Sequence, residues 1–128
     1  MAGYSTTLRN ARLDAITTAV GNAGKLQIYD GTQPATGGTA TTKLAEFTLG
    51  SPFAPAASAG VLSPTLPSST TGLAASTATW FRVVTSGGAF VLDGTAGTSG
   101  KELILNTASV AVGVNVSITS WTITTGNP

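Results

Sequence analysis

Few side chains in this chain could do chemistry. It has no histidine and no cysteine, and its only acids are Asp14, Asp30, Glu46, Asp93 and Glu102. Histidine is the usual proton shuttle near neutral pH, and histidine and cysteine supply most transition-metal ligands and many nucleophiles. Their absence removes Ser-His-Asp and Cys-His catalysis. Glycoside-type hydrolysis needs two carboxyls about 5–10 Å apart, one with a raised pKa. Asp30 and Asp93 each precede a glycine at a strand end, which reads as turn chemistry instead. Gly94-Thr95-Ala96-Gly97-Thr98-Ser99-Gly100 has the look of a phosphate loop, but no GK[ST] ending and no helix follows it. It reads as a hairpin loop. Residue types alone leave a Ser–Lys dyad open, yet no SxxK spacing occurs. No catalytic, cofactor-binding or metal-ligating residue is therefore expected. The chain reads as a scaffold or binding protein, not an enzyme.

Composition points the same way. Charged residues are 9% of the chain, against roughly 25% in ordinary soluble domains. Gly, Ala, Ser and Thr make up more than half of it. A surface of hydroxyls and methyls with net charge +1 gives little colloidal repulsion, and suits a protein covered in an assembly. Six basic residues form no stripe, so no nucleic-acid partner is expected. Arg9, Arg12 and Asp14 stand where a secretory h-region would be apolar, and no run approaches a membrane span. A chain of 128 residues suits one domain, 1–128.

Residues 1–24 read as a helix and tail. Ser5 or Thr6 can cap the helix and Gly21 or Gly24 can end it. Leu8, Ala15, Ile16, Ala19 and Val20 fall on one side, with Leu13 at its margin. Arg9 and Arg12 fall in the same sector. Either their stems lie on the core while the heads reach water, or this end docks on a partner.

Residues 25–128 read as strands. Leu26 and Ile28 alternate inward, as do Ala45, Phe47 and Leu49. Four prolines, Pro52, Pro55, Pro64 and Pro67, break the rhythm and define an arm over 51–67. Phe53 and Leu66 make it too apolar for a solvated linker, so it should lie on the body or on a neighbouring subunit. Ala78–Val84 and Ala89–Asp93 form a hairpin around Thr85-Ser86-Gly87-Gly88. Val110, Val112, Val114, Val116 and Ile118 share one face of a last run. Trp121 and Ile123 then change phase, so a bulge or a change of sheet is expected at Thr119-Ser120. Trp121 is expected in the core. Trp80 and Arg82 share one face of their strand: either they form an exposed aromatic–cation pair, or Trp80 is core and Arg82 emerges at an edge.

Three segments, Leu26-Gln27-Ile28-Tyr29-Asp30-Gly31-Thr32-Gln33-Pro34-Ala35, Ala78-Thr79-Trp80-Phe81-Arg82-Val83-Val84 and Ser117-Ile118-Thr119-Ser120-Trp121-Thr122-Ile123, resemble small virion structural proteins of tailed bacteriophages. The resemblance implies a capsid decoration, or cement, protein. It would bridge subunits of the major capsid protein or other virion proteins as a homo-oligomer, after assembly in the bacterial host cytoplasm. The alternatives are a neck or tail accessory protein, or a module binding glycans or host surfaces. The expected fold is mainly β: an antiparallel two-sheet sandwich of about seven or eight strands with one N-terminal α-helix. The expected partner interface comprises Arg9, Arg12, Pro52, Phe53, Pro55, Leu66, Pro67, Trp80 and Arg82.

Overall fold

A computed structural model describes residues 4–50 and 52–124. Helix α1 spans Thr6–Val20. Its start is local chemistry: Ser5 takes an extended backbone, and its hydroxyl accepts the Leu8 N–H at 3.1 Å. Gly21 closes the other end by donating to the Thr17 carbonyl. The helix face differs from the amphipathic expectation. Leu13 and Val20 are buried, whereas Leu8 is 46% exposed and Ala15 and Ala19 face solvent. Polar anchors select this face. The Asn10 and Asp14 side chains accept the backbone N–H groups of Gly60 and Ala57 at 2.9 and 2.8 Å. An irregular proline-rich arm leaves such N–H groups without a ladder, and they need acceptors. The arm therefore lies on its own helix and body, with Phe53 and Leu62 fully buried.

Among the described residues twelve strands follow the helix: β1 Lys25–Tyr29, β2 Lys43–Thr48, β3 Val61–Leu62, β4 Thr70–Thr71, β5 Ser76–Thr77, β6 Trp80–Val84, β7 Phe90–Gly97, β8 Leu103–Leu105, β9 Ser109–Val110, β10 Asn115–Val116, β11 Ile118–Trp121 and β12 Ile123–Thr124. The main sheet has six strands in the order β11-β8-β7-β6-β1-β2. Three two-stranded ladders, β10-β4, β12-β3 and β5-β9, complete the fold. The protein is thus mainly β with one helix. It is not purely antiparallel, because β7 and β8 pair in parallel over Ala96↔Leu103 and Gly97↔Ile104.

The β6–β7 turn forms where expected, with Thr85 and Ala89 bonded through backbone and the Thr85 hydroxyl. The phase change near Thr119 is also present. The β8–β11 register shifts between Ile118 and Ser120, and the chain then leaves the main sheet to pair with β3.

Two strand expectations are corrected. The 110–118 run is not continuous: Gly113 has φ +82, and Val114 donates to the Ala111 carbonyl in a turn. This throws Val112 to 74% exposure and Val114 to the surface, while Val110, Val116 and Ile118 stay buried. Asp93-Gly94 is not a turn but mid-strand in β7, and the glycine-rich segment is strand as far as Gly97. Gly94 stands opposite Phe81, and a Cβ there would lie 2.5 Å from the ring. The bare glycine lets the Phe81 ring fold over it and meet Trp121 edge-on at 5.5 Å between centroids. Gly94→Ala is therefore expected to cost about 1–3 kcal/mol by overpacking. Chemical denaturation measures this, and the penalty should shrink in a Phe81→Leu background.

The inner face of the sheet carries Leu26, Ile28, Phe47, Phe81 and Val83 into one core with the small ladders, the arm and Trp121. The opposite face of β2-β1-β6-β7 is where the polar and charged side chains gather.

Candidate functional site

Register places four polar residues in one row across that outer face. Gln27 pairs with Glu46 on one side and Arg82 on the other, and Arg82 pairs with Asp93. Side-chain bonds join the row as two pairs, Gln27 with Glu46 and Arg82 with Asp93. Arg82 Nε and a terminal nitrogen reach the two Asp93 oxygens at 2.7 and 3.1 Å. Gln27 Nε2 donates to Glu46 at 3.0 Å, and Lys43 Nζ lies 2.9 Å from the same carboxylate. The Tyr29 hydroxyl donates to Gln27 Oε1 at 2.8 Å.

Above this row lies a second aromatic layer. Tyr29 and Trp80 stack at 4.5 Å, with the Arg82 guanidinium 5.2 Å from the Trp80 centroid and 5.3 Å from that of Phe90. Residues 30–42 fold back as a roof. Trp80 Nε1 donates to the Asp30 carbonyl at 2.9 Å and to the Thr41 hydroxyl at 3.1 Å. Arg82 donates to the Gly38 carbonyl at 2.7 Å, and the Gly37 N–H donates to Asp93 at 3.1 Å. Trp80 is fully buried, so both faces of β6 are covered. Of the two readings of this pair, Trp80 is inside. Arg82 neither forms an exposed pair nor emerges at an edge; its side chain is 12% exposed and that of Asp93 3%.

The electrostatics follow from these contacts. The hydrogen bonds that Arg82 donates to the Asp93 carboxylate raise its pKa, so the guanidinium stays charged. Burial raises the Tyr29 pKa, although Lys43 and Arg82 oppose it, and its phenol remains a donor at neutral pH. Hydrogen bonds from Gln27 and then Lys43 hold the Glu46 carboxyl below its ordinary value. A lowered folded-state pKa means stability that is complete above the ordinary carboxylate range and is lost as pH falls through the folded value. Thermal melts at pH 7 and pH 3 should show Glu46→Gln narrowing the pH dependence. The effect should be under about 1 kcal/mol, because Lys43 and Glu46 are about a third exposed.

All five acids have structural partners. Besides Asp14, Glu46 and Asp93, Asp30 accepts the Thr42 N–H at 3.0 Å and Glu102 accepts the Thr95 N–H at 3.3 Å. Glu46 and Asp93 sit three strand spacings apart, roughly 14 Å, too far to share a glycosidic bond. Among the described residues no group of three or more acids gathers to hold a metal ion, and no helix is long and apolar enough to cross a membrane.

The residues expected at an interface scatter. Arg12, Pro52, Pro55 and Leu66 are exposed, Arg9 and Pro67 half-buried, and Phe53 is in the core. Arg9 packs on Gly60 of the arm, and Arg12 lies 4.9 Å from the Tyr4 ring centroid. Reasoning from the sequence missed the Gln27–Glu46–Arg82–Asp93 row. The available signal was that all four occupy the polar phase of their strands. It also missed an apolar surface at Leu73, Val112 and Val114, which are 54, 74 and 37% exposed. Backbone bonds between Gly72 and Val114 and between Gly113 and Gly72 bring these segments together.

No protein-family model, no curated protein and no solved structure matches this chain.

Proposed function

We infer that this is a non-catalytic assembly protein, and propose that it is a structural virion protein of a tailed phage, a capsid decoration protein bridging capsid subunits. The engagement of every acid in holding backbone or partner side chains supports a structural role. The observation that carries the assembly reading is the aliphatic surface at Leu73, Val112 and Val114 on a chain with 9% charged residues. Exposed apolar clusters on monomers mark interaction sites, and this one would be covered in a lattice. Binding only the assembled shell adds stability by linkage, and many weak copies act multivalently. The same reading makes the protein a homo-oligomer with capsid protein as partner, and treats the main sheet and the short ladders as two layers of a sandwich. A glycan-binding module would need Trp80 or Tyr29 open on a concave face. Both rings are buried, so no observation favours it.

Cryo-electron microscopy of virions of the phage that encodes the chain tests the proposal. Many copies at local symmetry axes of the head are expected. A few copies at the neck or tail would make it an accessory protein instead, and absence from the particle would overturn the reading. Val112→Asp should change stability by less than about 0.5 kcal/mol, as exposed substitutions do. It should nevertheless strip the protein from particles, as read by particle composition after sedimentation.

A further inference from the structure

A cleft of about 290 Å³ opens at the free edge of the main sheet, lined by Glu46, Phe47, Thr48, Ser68, Ser69 and Thr70. Strand β2 is the last strand on that side. In an antiparallel strand the N–H and C=O of one residue point the same way, and successive residues alternate. Leu49 donates to Gly24 beside β1, whereas Leu44 accepts from Leu73 on the other side. Glu46 and Thr48 share the phase of Leu44, so their backbone groups face the cleft. The opposite lip runs antiparallel to β2 from the Leu44–Leu73 bond. It is drawn away by β4, which pairs Thr70 and Thr71 with Val116 and Asn115 of β10. The two segments thus close at one end and splay at the other.

We propose that this cleft is a strand-accepting site, which takes an extended segment of a partner polypeptide with small, uncharged side chains. Each residue of a strand occupies a slot roughly 3.3 Å long, 4.8 Å wide and 10 Å deep, so the cleft holds about two residues. That length spans the groups of Glu46 and Thr48. The lips are hydroxyl-rich, and the Glu46 carboxylate is already neutralised by Lys43 at 2.9 Å, so a neutral segment is the complement. The chemistry excludes other occupants. Phe47 is 1% exposed and offers no ring face to a sugar. The six lining residues include no base, and Lys43 and Lys25 beside them are already bonded to the Glu46 carboxylate and the Thr48 hydroxyl, each at 2.9 Å, so an anion would have to displace those bonds. A folded second copy brings a whole sheet with its edge strand, which is too broad for a slot that narrows to the Leu44–Leu73 bond. The site is independent of the virion reading, since a cleft of this kind would serve any assembly.

The test uses the full chain, with amide hydrogen exchange read by NMR. The probe is a short capped peptide of alternating threonine and valine, with a twin N-methylated on its backbone. In the free protein the Glu46 and Thr48 amides should exchange freely. The plain peptide should slow both by about tenfold or more, and the N-methylated twin should not. Thr48→Pro removes a cleft-facing N–H from an edge strand, where proline is tolerated, and should abolish the effect. Should that variant fail to fold, Ser69→Trp fills the slot from the exposed lip and should do the same. Equal action of the two peptides, prior protection of Glu46 and Thr48, or protection that survives the folded variants would overturn the proposal. So would self-association of the wild-type chain that Thr48→Pro or Ser69→Trp abolishes, since a second copy would then be the occupant.

Discussion

Arg82→Ala is expected to destabilise the protein by about 3–5 kcal/mol, the cost of leaving a buried charge without its partner. The Asp93 side chain is 3% exposed, and two of its contacts come from Arg82. Water cannot readily replace a guanidinium roofed by residues 30–42. The alanine would also free the Gly38 carbonyl and remove the cation between Trp80 and Phe90. Since whole domains are stable by only about 5–15 kcal/mol, the variant should sit near the edge of folding. Urea unfolding gives the number. A double variant, Arg82→Leu with Asp93→Leu, separates pairing from packing. If the penalty is an orphaned charge, the double variant should be more stable than Arg82→Ala, because an apolar pair replaces an ion pair at little cost. If the double variant is worse, the roof depends on the polar bonds themselves.

What the sequence made legible was local. Ser5 and Gly21 bound the helix because capping is decided by residues within one turn. The Thr85–Gly88 turn and the phase change near Thr119 follow from turn residues and side-chain alternation. What it hid depended on partners distant in sequence. The helix face is set by Asn10 and Asp14 gripping Gly60 and Ala57, which an apolar pattern cannot register. Asp93-Gly94 has the composition of a turn. It is held in strand because Arg82 and Phe81 stand opposite and use the carboxylate and the missing Cβ. Side-chain alternation in β6 predicts one core face and one solvent face, yet both faces are covered. The roof that covers the second is a Thr- and Gly-rich loop whose composition reads as solvated. Its attachment is written in Trp80, Arg82 and Asp93 rather than in the loop itself.

That attachment sets the expected result for Trp80→Ala, a loss of about 3–5 kcal/mol, as for other large aromatic truncations in a core. The indole is fully buried, stacks on Tyr29 at 4.5 Å, and holds Asp30 and Thr41 through one N–H. Its removal takes away one wall of the outer layer and one pin of the roof. The damage should be uneven. Amides of residues 31–42 should exchange and be cleaved by protease faster. The inner core around Ile28 and Phe81 should keep its protection up to the lowered global stability. Trp80→Phe divides the two contributions. It keeps a ring over Tyr29 but loses the N–H, so it should cost about 1–3 kcal/mol with the roof still loosened. A Trp80→Phe protein with wild-type exchange in 31–42 would show that stacking alone holds the roof. Equal loosening in both variants would assign the roof to the hydrogen bonds of the indole. The outer face of the sheet would then be a latch closed by one N–H and one ion pair.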